Sequence, residues 1–210
     1  MAKVKICGIT NLEDALKASK FGADTLGFIF TKKSPRWIKR EQAKKIIDKL
    51  DPFLTKAGVF LNQDKEEVLS LARELKLDIL QFHGKESPAY CNSFKREFKI
   101  IKTLFPENRP FKNVIARFKI DAFLFDLQLA KKLKGSKTLP ANVLKEAAKL
   151  IKDNKRIIIS GGLNSENISG VLKLKPYAVD VCSGIEELVG KKNESEMRLF
   201  IKKVKNAATG

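Results

Sequence analysis

Short apolar, β-branched runs alternate with amphipathic stretches along the whole chain. The runs predict strands over residues 4–7, 24–30, 56–61, 78–83, 100–104, 122–126, 156–160 and 178–182. Between them, apolar residues recurring every three or four positions predict helices over 12–21, 40–50, 65–75, 88–98, 141–153, 165–174 and 194–205, with a weaker one over 110–118. Asn11, with Asp14 three residues on, marks one helix start; Asn62 or Asp64 marks the start of the third. Successive strands recur every 20 to 30 residues or so, about what a βα unit with short loops needs.

Strands that are nearly continuous in hydrophobicity belong to a parallel sheet covered by helices. Eight of them in 210 residues predict a compact (β/α)8 barrel, class α/β, occupying residues 1–210 as one domain. A doubly wound open sheet is the competitor. It would show a glycine-rich turn after its first strand, and Ile6-Cys7-Gly8-Ile9-Thr10 has no G-x-G-x-x-G. Composition agrees with a packed globular chain: 43% of residues are hydrophobic and 31% charged.

Three cysteines, Cys7, Cys91 and Cys182, lie far apart with no C-x-x-C pair, so the expectation is a reducing, cytoplasmic setting with neither disulfides nor a zinc knuckle. No secretory leader and no membrane span are expected, because the first residues carry charge and no apolar run is long enough. The net charge is +18, from 42 basic against 24 acidic residues. Of the basic residues 34 are Lys and only 8 Arg, scattered through every predicted helix. Base readout and stacking favour Arg and exposed aromatics, so a lysine-rich solvated surface is expected and nucleic acid is not.

A barrel of this kind carries its site at the C-terminal ends of its strands. The polar residues there are Cys7, the loop Ser34-Pro35-Arg36, Asn62, Gln81 and His83, Lys102, Asp126, Gly161-Gly162 and Ser183-Gly184. The end of the chain is the most specific part. Ser160-Gly161-Gly162 after the seventh strand and Cys182-Ser183-Gly184 after the eighth predict a phosphate site, built from two loops and the start of a short extra helix. Cys7 reads either as a small buried hydrophobe or as a general base whose thiol is lowered by nearby positive charge. Asp126 either caps the next turn or is a partly desolvated general acid. Arg36 is a candidate clamp for a carboxylate, and His83 a lining residue of the pocket. No cluster has metal-ligand spacing, so no metal is expected.

Val4-Lys5-Ile6-Cys7-Gly8-Ile9-Thr10, Gly27-Phe28-Ile29-Phe30, Ser34-Pro35-Arg36, Gly58-Val59-Phe60, Leu80-Gln81-Phe82-His83-Gly84, Ser160-Gly161-Gly162-Leu163 and Val179-Asp180-Val181-Cys182-Ser183-Gly184-Ile185-Glu186 together resemble the phosphoribosylanthranilate isomerases of tryptophan biosynthesis. The likeness runs in order from residue 3 to about 205. It implies an Amadori rearrangement of a phosphorylated small molecule without metal or organic cofactor, by a monomer or homodimer. In that picture Asp126 is the acid and Cys7 the base. Arg36 holds the anthranilate carboxylate, with His83 beside it, and Gly161, Gly162, Ser183 and Gly184 hold the phosphate. The related Amadori isomerase of histidine biosynthesis fits less well, since position 7 is Cys rather than Asp and the first half lacks a Gly-Gly motif. One segment departs from the family. A loop of G-G-[ST]-G-K-x-F-D-W type is expected after Asp126, but residues 127–140 echo it only at Gly135, Ser136, Lys137 and Thr138. That change keeps alive a second expectation, a barrel that binds sugar phosphates with little turnover.

Overall fold

In the computed structural model, residues 1–127 and 138–207 are described. Eight parallel strands close into a barrel in chain order: β1 (Lys3–Cys7), β2 (Thr25–Ile29), β3 (Thr55–Phe60), β4 (Ile79–Phe82), β5 (Lys99–Leu104), β6 (Ala122–Phe125), β7 (Ile157–Ile159) and β8 (Ala178–Val181). Each expected run became a strand with ends within a residue of those expected, β1, β3 and β5 starting one residue earlier, and the (β/α)8 architecture is as expected. Closure is made by β1, whose Ile6 lies opposite Leu26 of β2 on one side and Val181 of β8 on the other.

Two apolar layers hold this frame. Inside the barrel, Ile101, Ala122, Leu124, Ile158 and Ala178 form a compact plug. Outside it, the opposite faces of the same strands bury Phe28, Phe60, Phe82 and Phe125 against the helices. Helix α1 (Leu12–Lys20) starts at Asn11, whose side chain accepts from the Asp14 N–H, and α3 (Lys65–Glu74) at Asp64, which accepts from the Glu66 and Glu67 N–H groups. Of the two caps weighed for α3, Asp64 is the one used. Asn62 instead turns the chain at φ +52° and accepts from the Lys85 N–H.

Several helices are shorter than their apolar period suggests. The second, α2 (Arg40–Ile47), stops before Leu50. The fourth, α4 (Pro88–Asn92), ends because Ser93 Oγ bonds back to the Tyr90 carbonyl at 2.8 Å; Phe94 and Phe98 are then buried from turns. The weak fifth pattern is α5 (Phe111–Ile115), and α6 (Ala141–Lys152) matches its expected span to within a residue. The seventh, α7 (Ile168–Leu172), is delayed by Asn164, whose side chain accepts from the Glu166 and Asn167 N–H groups and makes a local turn first. Before the last helix, α8 (Glu194–Asn206), comes a hairpin of β9 (Glu186–Leu188) and β10 (Lys191–Lys192), which no periodicity announced. Its turn uses Gly190 at φ +83°. No described helix is long and apolar enough to cross a membrane.

A buried charge pair crosses the seam where the barrel closes. Lys5 Nζ is 2.8 Å from Asp180 Oδ1, both residues being at most 4% exposed, and Ser160 Oγ donates to the other carboxylate oxygen at 3.3 Å. Burial alone would pull the Lys5 ammonium down, but Asp180 and the nearby Cys7 sulfur outweigh it and hold the lysine charged. Lys5→Met leaves a buried carboxylate without its cation and should cost about 3–5 kcal/mol in urea unfolding. The double variant Lys5→Met, Asp180→Leu should recover most of that loss, and an equal loss in both would disprove the assignment.

Candidate active site

A cavity of about 740 Å³ opens at the C-terminal ends of the strands and is lined by Cys7, Arg36, His83, Asp126 and Ser183 among others. Residues expected from seven separate segments are thus brought to one chamber. Gly161, Gly162 and Gly184 do not line its wall; they shape the backbone beside Ser160 and Ser183, which do.

Asp126 follows the last residue of β6 and is 5% exposed. Its Oδ1 accepts from the Leu127 N–H at 2.7 Å, so the turn-capping expectation is realised in part. Its Oδ2 lies 3.6 Å from His83 Nε2. The His83 ring is held on its far side by Thr103 Oγ1 at 3.0 Å and Gln81 Nε2 at 3.3 Å from Nδ1, with Phe105 edge-on. Lys102, polar at a strand end, is turned to structural use. Its ammonium donates to the Gly84 carbonyl at 2.7 Å and meets Glu86 at 3.1 Å, bracing the wall after β4.

Cys7 ends β1 and packs with Ile29, Val59 and Cys182. Its thiol is pushed well up, first by the hydrogen bond with Cys182 and then by burial, against the pull of Lys5. Nearby positive charge therefore does not by itself lower this thiol. Cys182 is the opposite case, drawn down to about 7 by the Cys7 hydrogen bond and by Lys192 and Arg36 against burial. Arg36 forks onto Glu186, Nε to Oε1 at 2.8 Å and Nη2 to Oε2 at 2.6 Å, which leaves its Nη1 edge for a ligand. Lys192 Nζ meets the same Glu186 at 3.0 Å and the Cys182 carbonyl at 3.0 Å. Sequence reasoning missed Cys182, Glu186, Lys192 and the Lys5–Asp180 pair. The only local signal was a lysine two residues before Cys7 inside an apolar run.

The two loops after β7 and β8 interlock. Gly161 and Gly162 take φ +80° and +72°, where a side chain would be strained. A β-carbon on Gly184 would lie 1.8 Å from the Leu163 carbonyl oxygen, so only glycine lets these loops meet. Ser183 begins a 3-10 turn, Ser183–Ile185, at the place where a short extra helix was expected.

The sequence profile described as N-(5′-phosphoribosyl)anthranilate (PRA) isomerase matches residues 4–203 of this chain. The chain belongs to the phosphoribosylanthranilate isomerase family. It is 40% identical over 209 residues to the N-(5′-phosphoribosyl)anthranilate isomerase of Citrifermentans bemidjiense, covering 99% of each. The crystal structure of the Thermotoga maritima phosphoribosylanthranilate isomerase superposes with a TM-score of 0.89 at 35% identity, over 98% of this chain and 100% of the other; that enzyme is described as dimeric. A phosphoribosylanthranilate isomerase in complex with reduced 1-(o-carboxyphenylamino)-1-deoxyribulose 5-phosphate superposes at 0.82 with 34% identity, over 98% and 100% of the two chains. Of the loop that departs from the family pattern, residues 128–137 lie outside the described residues.

Gly184→Ala should force the loops apart, costing about 1–3 kcal/mol in denaturant unfolding as over-packing does. In the same protein, retention of inorganic phosphate measured by calorimetry should weaken more than it does in Gly170→Ala, where an added β-carbon meets nothing within 4 Å.

Proposed function

We propose that Cys7 and Asp126 are the base and acid of the isomerisation that names this family. The chain is an aldose–ketose isomerase of tryptophan biosynthesis, converting N-(5′-phosphoribosyl)anthranilate to 1-(2-carboxyphenylamino)-1-deoxyribulose 5-phosphate. The observation that carries the assignment is that one carboxyl and one thiol, from β6 and β1, face the same chamber beside a guanidinium and a Gly-lined loop pair.

The chemistry needs two proton transfers. Asp126 gives a proton to the furanose ring oxygen, and the C1–O bond breaks as the anilino nitrogen forms a Schiff base. The iminium makes the C2 proton acidic, and the Cys7 thiolate removes it; the C2–H electrons move toward nitrogen to give the enolamine. Tautomerisation to the ketone completes the reaction with no net change in atoms. His83, within 3.6 Å of Asp126, lines the chamber and orients the acid. Arg36 receives the anthranilate carboxylate, and backbone groups of Gly161, Gly162, Ser183 and Gly184 receive the phosphate. The net charge of +18 favours capture of a substrate carrying both groups.

The proposed reaction uses no cofactor or metal, and its partner is a small phosphorylated molecule rather than nucleic acid or a membrane. The dimeric relative supports a homodimer beside the monomer, and the cytoplasm is the proposed location. Turnover followed by loss of anthranilate-substrate fluorescence should fall on the order of 10²-fold or more in Cys7→Ala and in Asp126→Asn. Folded wild-type protein that binds phosphate without turnover would instead establish the sugar-phosphate-binding barrel.

A further inference from the structure

The register that closes the barrel sets Ile6 of β1 beside Val181 of β8, and the next residue in each case is a cysteine, the last of β1 and the one just after β8. Cys7 and Cys182 therefore share the inner face, two residues along from the Lys5–Asp180 pair. Their side chains pack against each other, and both line the cavity. The isomerisation as written uses Cys7 and leaves Cys182 without a task.

Charged groups face the two sulfurs unequally. Around Cys7 stand Lys5 of β1 and Asp180 of β8, already paired with each other at 2.8 Å. Around Cys182 stand Arg36 from the loop after β2 and Lys192 of β10, whose Nζ is 3.9 Å from the sulfur, with Glu186 of β9 between the two cations. Burial opposes an anion on either sulfur, yet a single anion spread over two packed sulfurs is served by the Cys182-side cations and by the proton that remains between them. Such a pair loses its first proton as a unit rather than as two independent thiols.

We infer that Cys182 is a positioning residue for the base: it shares one proton with Cys7, so that a buried sulfur can be presented to substrate as a thiolate. The inference rests on the assignment of Cys7 as base. The cations beside Cys182 favour the charge on that sulfur at rest; in the reacting tautomer the proton has crossed, and Cys182 S–H donates to the Cys7 thiolate. When Cys7 takes the C2 proton, the C2–H electrons pass to the iminium and both sulfurs are neutral thiols. As the enolamine tautomerises, C1 gains a proton and the C2 hydroxyl loses one; the extra proton on the pair passes through solvent to Asp126, and the thiol–thiolate pair is restored.

Thiolate ultraviolet absorbance and the pH profile of kcat/KM test this together. Wild-type protein should gain the absorbance of one thiolate as pH rises through about 7, and Cys91, pushed up to about 12 by burial, contributes nothing there. In Cys182→Ala the pair's readily lost proton is gone and Cys7 is left with burial and Asp180 against Lys5, so the absorbance and the acid limb of kcat/KM should both move up by about one unit or more, roughly a tenfold loss near neutral pH that recovers on the alkaline side. Cys182→Ser, which changes shape least, should fall between, because a hydroxyl donates to the thiolate but does not carry the charge. An unmoved limb and absorbance in both variants would overturn the inference, as would a loss of equal size at every pH, which marks a purely structural role. Cys7→Ala separates the two readings. Retained turnover there overturns the base assignment and this inference with it, whereas lost turnover beside an unmoved Cys182→Ala profile overturns this inference alone.

Discussion

Everything at the mouth of this barrel depends on β1 closing against β8. The Lys5–Asp180 bond joins residues 175 positions apart, and it is buried, so the seam cannot slip by one residue without exposing two charges to an apolar interior. Register alone then determines what stands above the pair. Cys7 meets Cys182, the turn after β8 lies beside the first strand, and Glu186 reaches the Arg36 guanidinium from the opposite end of the chain. A charge pair of this kind adds little net stability compared with an apolar pair.

The chamber built on that seam is apolar below and charged at the rim. Ile29 and Val59 pack around Cys7, while Arg36, Lys192 and Glu186 gather beside Cys182. The bond with Cys182 and then low polarity push the Cys7 thiol up, and Lys5, its own charge engaged by Asp180, does not suffice to lower it. On the other side of the chamber Asp126 is held by a backbone N–H and by His83, which Thr103 and Gln81 fix in turn. The sulfurs and the carboxylate are thus held by different devices, mutual packing for one and a braced side chain for the other.

How much of this was readable in the sequence follows from the range of each interaction. Strands and their ends were legible because burial on both faces leaves a run of apolar residues that stops at a polar one, as Phe123-Leu124-Phe125-Asp126 does. Those stops located Cys7, Arg36, His83, Asp126 and the two glycine loops in one chamber. Helix ends were over-read where a short polar side chain competed with the helix, as at Ser93 and Asn164. The partners of Lys5, Arg36 and Cys7 were illegible for another reason: each lies on the last strand or just after it, and only the closed register brings them together. A lysine in an apolar strand announces that some carboxylate must meet it, but not which one.

The bond between Arg36 and Glu186 bears on how a carboxylate ligand is received. Glu186 occupies Nε and Nη2, and its charge is also met by Lys192 at 3.0 Å. Burial would raise this carboxyl, but Arg36 and Lys192 together hold it below the usual carboxylate range, so it stays an anion at neutral pH. The three charges sum to one positive unit, which is the charge a single incoming carboxylate needs. A ligand at Nη1 therefore completes the cluster without expelling Glu186, and the guanidinium plane is fixed before the ligand arrives. The same cations lie beside Cys182, so neutralising one of them with a bound carboxylate raises the cost of an anion on that sulfur.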